Sequence, residues 1–230
     1  MAPGPPHGDT EAVRGWQEVP LEPIDEPLVA LAGDARLIVH PIYKARGHAD
    51  ALDAVYVRAG VAERLREAAL LLPAETTLLV LDGWRSHALQ TALYADIRAE
   101  IAASSDLRGA ELAKATGRFV VEPSEDPRCP TPHLTGGAVD LTLADANGDP
   151  LDMGSGFDEV GARARTDYFE TSHISGGETA ARDRRRLLCG TLHRVGFANY
   201  PEEWWHFDLG NQFWGLMTGR RAYYGKANPF

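Results

Sequence analysis

Cysteine is scarce. The 230-residue chain has two, Cys129 and Cys189, and they form no CxxC pair. That argues against a disulfide framework and against a thiolate zinc site, and leaves two reduced thiols. Burial on a helix face explains Cys189. Long apolar runs are also missing, and none approaches the length of a membrane span. The opening Met1-Ala-Pro-Gly-Pro-Pro6 has no basic region followed by an apolar stretch, so no secretory signal is visible. The expectation is a cytoplasmic protein with no membrane contact. Positive charge is the minority, with 23 Lys and Arg against 33 Asp and Glu and a formal net charge of -10. Nucleic-acid binding usually demands a basic face, so no such partner is expected. The total does not fix the charge of a small-molecule ligand, because a site can oppose it.

Ordinary globular content remains: 44% hydrophobic and 24% charged residues, with no internal repeat. The length fits one domain with an ample core. Residues 1–27, rich in Pro, Gly and acids, read as a flexible or extended lead-in, and residues 28–230 as a single domain. Residues 36–39 read as a short strand. Apolar residues at 61, 62, 65, 68, 69 and 72 have helical spacing, and Pro73 ends that helix. Residues 76–81 read as a buried strand. Ser86 is an N-cap candidate for a helix over 87–103. Residues 104–132 combine a short helical stretch with a long Pro-rich loop of the kind that is usually functional or mobile. Residues 138–143 alternate as a strand, residues 150–178 are a Gly-rich loop, a strong helix runs to about Val195, and residues 205–209 form a last strand. Strands and helices do not alternate regularly, so the fold class is α+β, a small mixed or antiparallel sheet with flanking helices.

Two short clusters carry chemistry. In Thr131-Pro-His-Leu-Thr-Gly-Gly-Ala-Val-Asp140, the glycines let His133 fold back towards Asp140. Along the strand, Val139, Leu141 and Leu143 share an apolar face, while Ala138, Asp140 and Thr142 share the other and can line a cleft. In Glu203-Trp-Trp-His206, His206 and Asp208 share a strand face, and Glu203 reaches the same place only if the strand begins after it, with a bend near Pro201. Three ligands plus an open position make a catalytic zinc site. His133, Asp140 and His206 are the expected ligands of one zinc ion per chain. Glu203, left over, is the expected general base on a zinc-activated water, passing the proton to a leaving amine. Arg85, at the end of a buried strand, is the candidate donor to the developing oxyanion. Glu202 should point away and be dispensable.

These residues resemble the zinc D-alanyl-D-alanine dipeptidases of the vancomycin-resistance type, within a wider group of D,D-peptidases. The likeness runs from about Leu78 to Leu209. It includes Asp82-Gly-Trp-Arg85, His133 to Leu143, Met153-Gly-Ser-Gly-Phe-Asp158, Arg184-Arg-Arg-Leu187 and Gly196-Phe-x-x-Tyr-x-x-Glu-Trp-Trp-His206. The resemblance implies zinc on His133, Asp140 and His206, Glu203 as base and Arg85 as the transition-state stabiliser. It implies that Asp158 and the Thr131 region contact the substrate's termini. The implied fold is the small zinc D,D-peptidase fold shared with Hedgehog signalling domains. The chain departs from the family in Ser86, where proline often follows the arginine, in Thr131, where serine is common, and in Leu37, where many members carry a tyrosine.

The expected function is therefore zinc-dependent hydrolysis of D-Ala-D-Ala or a related small dipeptide, with a small peptide as the partner. The alternatives are a D,D-carboxypeptidase or endopeptidase on peptidoglycan stem peptides, and a non-catalytic zinc-containing binding module. The free carboxylate of Glu203 argues against the last, since a structural site needs none. His7, His40, His48, His87 and His193 lack a carboxylate cluster and read as surface or packing residues. His173 lies in the Gly-rich loop, within reach of a cleft. Arg184-Arg-Arg186 reads as a solvated helix face making ion pairs. The oligomeric state is not legible.

Overall fold

The interior strand Thr76–Asp82 is buried at every position, which is what an unbroken run of Thr, Leu and Val flanked by turn residues dictates. The computed structural model in which it sits describes residues 13–170 and 175–229, so His7 and His173 fall outside the described residues. In chain order the elements are β1 (Leu28–Ala30), β2 (Leu37–Val39), α1 (Ile42–Ala45), β3 (Tyr56–Arg58), α2 (Ala59–Leu71), β4 (Thr76–Asp82) and α3 (His87–Ser104). There follow α4 (Gly109–Thr116), β5 (Ala138–Asp145), α5 (Gly176–Arg194), β6 (Ala198–Asn199), β7 (His206–Asp208) and α6 (Gln212–Thr218).

Five strands form one mixed sheet in the order β2-β4-β5-β7-β6, and β1 pairs with β3 in a small ribbon. Only β2 and β4 run parallel; the other pairs are antiparallel. The α+β class and mixed sheet follow the sequence reading. One face carries the main core, where Val61, Leu65 and Ala68 of α2 and Leu188 and Leu192 of α5 meet Leu78, Val80, Val139, Leu141 and Leu143. Each fully buried Leu or Val contributes about 1.5–3 kcal/mol over its exposed state. Asp140, on the opposite face of β5, is free to serve the cleft.

Helix ends follow local chemistry. Ser86 Oγ accepts from Leu89 N and caps α3. Ser175 and Glu178 form a reciprocal capping box that starts α5 at Gly176, inside the stretch read as loop. The Arg184-Arg-Arg186 run departs from a solvated face. Arg185 is only 2% exposed and donates to the carbonyls of Met153, Arg163 and Arg165 and to Ser155 Oγ, so it holds the 150s–160s loop to the helix. Arg186 does make the expected ion pair, with Glu170.

Residues 13–27 run along the domain. Trp16 packs edge-on against Phe213 at 5.1 Å, and the Gln212 amide donates to Gln17 O and Val19 O. Glu26 accepts from Gly60 N and from the Tyr224 hydroxyl. Among the described residues no helix is long and apolar enough to cross a membrane.

Candidate metal and catalytic site

Strand register assembles the site. Asp82 on β4 stands opposite Asp140 on β5, and Asp140 stands opposite His206 on β7, so three polar side chains line up across three neighbouring strands. A register shift between Val80 and Asp82 re-aims the end of β4. The fourth residue arrives from a short 3₁₀ turn, Pro132–Thr135, which ends at Gly136 with φ 71°. A side chain there would be strained and would run into Leu28. Gly83 is equally constrained, since a Cβ would lie 2.5 Å from Tyr56 O. Its carbonyl stays open to His133, whose Nδ1 donates to it at 2.7 Å.

That bond leaves His133 Nε2 facing the cluster. His206 is held the other way round: Nε2 donates to Asp208 Oδ2 at 3.1 Å, and Nδ1 faces Asp140 Oδ1 at 3.0 Å. The two inward nitrogens are 3.2 Å apart, and His133 Nε2 is 3.4 Å from Asp140 Oδ2. With both outer nitrogens spent as donors, the two inner nitrogens converge beside a carboxylate, an arrangement that a metal cation satisfies. A tetrahedral zinc with bonds of about 2.0–2.1 Å separates its ligand atoms by about 3.3 Å, and the two imidazole nitrogens, 3.2 Å apart, have that spacing. His133, Asp140 and His206 are thus a buried donor set within 4.8 Å of one another that fits such an ion.

Burial opposes the Asp140 carboxylate, but His133 and His206 outweigh it and hold its pKa well below the usual range. Burial likewise opposes a charged His206, and Asp208 and Asp140 overcome it and raise that pKa. Glu203 lies in the turn before β7, with His206 N donating to Glu203 O at 3.3 Å, so the strand does begin after it. Its carboxylate is 3.9 Å from His206 Nδ1. Burial, only partly offset by His206, pushes its pKa well above the ordinary carboxylate value.

Arg85 is buried beside the cluster. Its Nη2 donates to Asp82 Oδ2 at 2.8 Å and to Asp140 Oδ2 at 3.2 Å, and Nη1 donates to Gln90 Oε1 at 3.0 Å. A cleft of about 350 Å³ opens over these groups, with walls that include Gly117 to Val121 from the first long loop and Phe157 to Glu159 from the second. Asp158 is in that wall at φ 63°, a left-handed conformation that Asp tolerates better than most residues. It accepts from the Tyr43 hydroxyl at 3.1 Å and pairs with Arg46. Burial, then the charge of Asp140, pushes its pKa up to about 6.

Thr131 is buried at the start of the 3₁₀ turn, and its neighbours Pro132 and His133 line the cleft. Glu202 does point away from the cluster, but it is no idle surface acid. It is 1% exposed and accepts from Arg118 at 2.8 Å and Arg165 at 2.6 Å. Sequence reasoning missed Asp82, Asp208 and Tyr43 as partners of site residues. His48, read as a surface or packing residue, lines the cleft, its ring edge-on to Tyr43 at 5.6 Å. The i, i+2 spacing of His206 and Asp208 was the one signal that could have revealed the second pair.

A metal-ready cluster, a buried carboxylate outside it and an arginine at its edge define a metallopeptidase-type hydrolase. A family model described as D-ala-D-ala dipeptidase matches residues 41–223. The D-alanyl-D-alanine dipeptidase of Synechocystis sp. is 33% identical over 239 residues, covering 93% of this chain and 97% of that protein. The enzyme of the same name from Escherichia coli K12 is 40% identical over 77 residues, 34% of this chain and 37% of that protein. Among solved structures, the vancomycin resistance D,D-pentapeptidase VanY in complex with Zn(II) matches 90% of this chain and 97% of its own, at 16% identity and a TM-score of 0.47. The chain belongs to the D-Ala-D-Ala dipeptidase family of peptidases.

Proposed function

We propose that the protein is a zinc-dependent dipeptidase that hydrolyses D-Ala-D-Ala or a closely related small dipeptide. The observation that carries the mechanism is the orientation of the two imidazoles, each committed through its outer nitrogen so that His133, Asp140 and His206 offer one metal three donors, with Glu203 left outside the set. One zinc per chain is the expected content. Bound there, zinc supplies Lewis-acid polarisation of the scissile carbonyl and acidifies a water. Glu203 takes the proton of the attacking water and delivers it to the leaving amine. Its burial-raised pKa suits a group that must hold that proton between the two transfers. Arg85 sits beside Asp140 and donates to the charge that develops on the carbonyl oxygen.

Asp158, on the wall with Arg46 and Tyr43, receives the substrate's free amine. The cleft's volume of about 350 Å³ is at the small end for ligand sites. It suits a dipeptide better than a pentapeptide stem. The test is a panel of D,D-, L,D- and L,L-dipeptides with a D-Ala-D-Ala-terminated pentapeptide, assayed on zinc-loaded protein. The reading expects D,D-dipeptides to lead, and comparable kcat/KM on the pentapeptide would replace it with a carboxypeptidase.

A further inference from the structure

A free dipeptide carries a carboxylate as well as an amine, and burying that charge without a cation is costly. Three arginines line the cleft: Arg46, Arg85 and Arg118. Arg46 is already paired with Asp158. Arg85 is shared among Asp82, Asp140 and Gln90. Arg46 also keeps free N–H groups but lies at the Asp158 end, where the amine is placed, so Arg118 is the arginine with capacity left at the other end. Its Nη2 donates to Glu202, while its Nε and Nη1 have no partner among the described residues, and its side chain is 43% exposed.

Arg118 is also held in place. Glu202 is shared with Arg165, which in turn pairs with Asp167. The Tyr200 hydroxyl donates to Arg118 O at 2.8 Å, and the Tyr200 ring stands edge-on to His206 at 5.9 Å. A guanidinium fixed through one N–H, with its remaining donors free, is pre-organised for a carboxylate.

The sheet order puts this arginine on the correct side. Tyr43, which touches Asp158 and Arg85, follows β2, while Tyr200 follows β6, at the other edge of the sheet. The metal donors on β5 and β7 lie between. A dipeptide with its amine on Asp158 and its scissile carbonyl at the metal cluster would extend towards Arg118.

We propose that Arg118, positioned by Glu202, binds the free C-terminal carboxylate of the dipeptide and is the residue that restricts the enzyme to substrates ending one residue beyond the scissile bond. This rests on the dipeptidase reading.

The test compares D-Ala-D-Ala with its C-terminal amide on zinc-loaded wild type, Arg118→Ala and Arg118→Lys. Arg118→Ala should raise KM for the free dipeptide on the order of 10–100-fold with a smaller change in kcat. The loss on the amide should be at least tenfold smaller, and Arg118→Lys should recover part of the discrimination. The ratio between the two substrates is read on the same folded enzyme, so a reduced folded fraction does not affect it. Equal losses on both substrates, or a loss confined to kcat, would make Arg118 a structural residue and overturn the proposal, as would no loss at all. A wild type active on neither substrate overturns the dipeptidase reading itself, which separates the two failures.

Discussion

Asp208 Oδ2 accepts from His206 Nε2 at 3.1 Å, and this contact decides which nitrogen of the imidazole is offered to a metal. Asp208 is fully buried, and its other oxygen accepts from Asn211 Nδ2 at 2.6 Å. Asn211 in turn caps α6 by accepting from Trp214 N. A helix cap, a carboxylate and a ligand are thus one chain of hydrogen bonds. Carboxylate partners of this kind fix the tautomer and raise the basicity of the ligand, and losing one typically costs about 10–100-fold in metal affinity.

Asp208→Ala should therefore bind zinc about 10–100-fold more weakly while keeping all three donors. Competition against a calibrated chelator measures it. Affinity equal to wild type would show that β7 alone orients His206.

Arg85→Ala should lose both turnover and stability. Arg85 is the partner of the buried Asp82, and its removal strands that carboxylate. Breaking a buried pair from one side costs about 3–5 kcal/mol. The double variant Asp82→Asn with Arg85→Ala should recover part of the melting temperature and none of the kcat. Recovery of kcat would remove Arg85 from the chemistry.

How much of this was legible beforehand follows from signal length. The strands β4 and β5 and the helices α2, α3 and α5 each carry enough periodic residues to be read directly. The strands β1, β3 and β6 have two or three residues each and no period to detect. At the site, His133, Asp140, Glu203 and His206 could be named from spacing because their neighbours in sequence are their neighbours in space. Asp82 beside Asp140, or Glu202 between Arg118 and Arg165, depends on strand register and loop path, which local pattern does not encode. Arg185 is the sharpest case: a basic run looks solvated, yet one of its three side chains closes a loop through backbone carbonyls.

Asp158 should give metal-stripped protein a distinctive pH dependence. Its folded pKa of about 6 lies above the usual aspartate value of about 3.9, first through burial and then through Asp140. A raised carboxylate pKa means that the folded state binds the proton more tightly. The stabilising contribution is therefore complete below about pH 4 and is lost as pH rises through 6. The effect is at most about 3 kcal/mol. Denaturant titrations of wild type and Asp158→Asn between pH 4 and 7 should converge at low pH and differ in slope above it. Parallel profiles would mean that Arg46 and Tyr43 hold the carboxylate ionised throughout.

Adjacent glutamates provide the decisive pair. Glu203 and Glu202 are both buried, but only Glu203 faces the donor cluster, 3.9 Å from His206 Nδ1, while Glu202 is turned onto two arginines. Glu203→Gln leaves three metal donors in place and should retain zinc and fold normally. Loss of a general base costs typically about 10²–10⁴-fold in rate, so kcat should fall by at least that order. Glu202→Gln should instead lose about 1–3 kcal/mol of stability, since it removes the charge that two arginines share. Its KM should rise more than its kcat falls, because Arg118 loses its anchor. Zinc content, melting temperature and steady-state kinetics on the same two preparations separate the roles. Zinc lost from Glu203→Gln would make that residue a ligand, and a Glu202→Gln enzyme dead in kcat at full zinc occupancy would move the base one position along the chain.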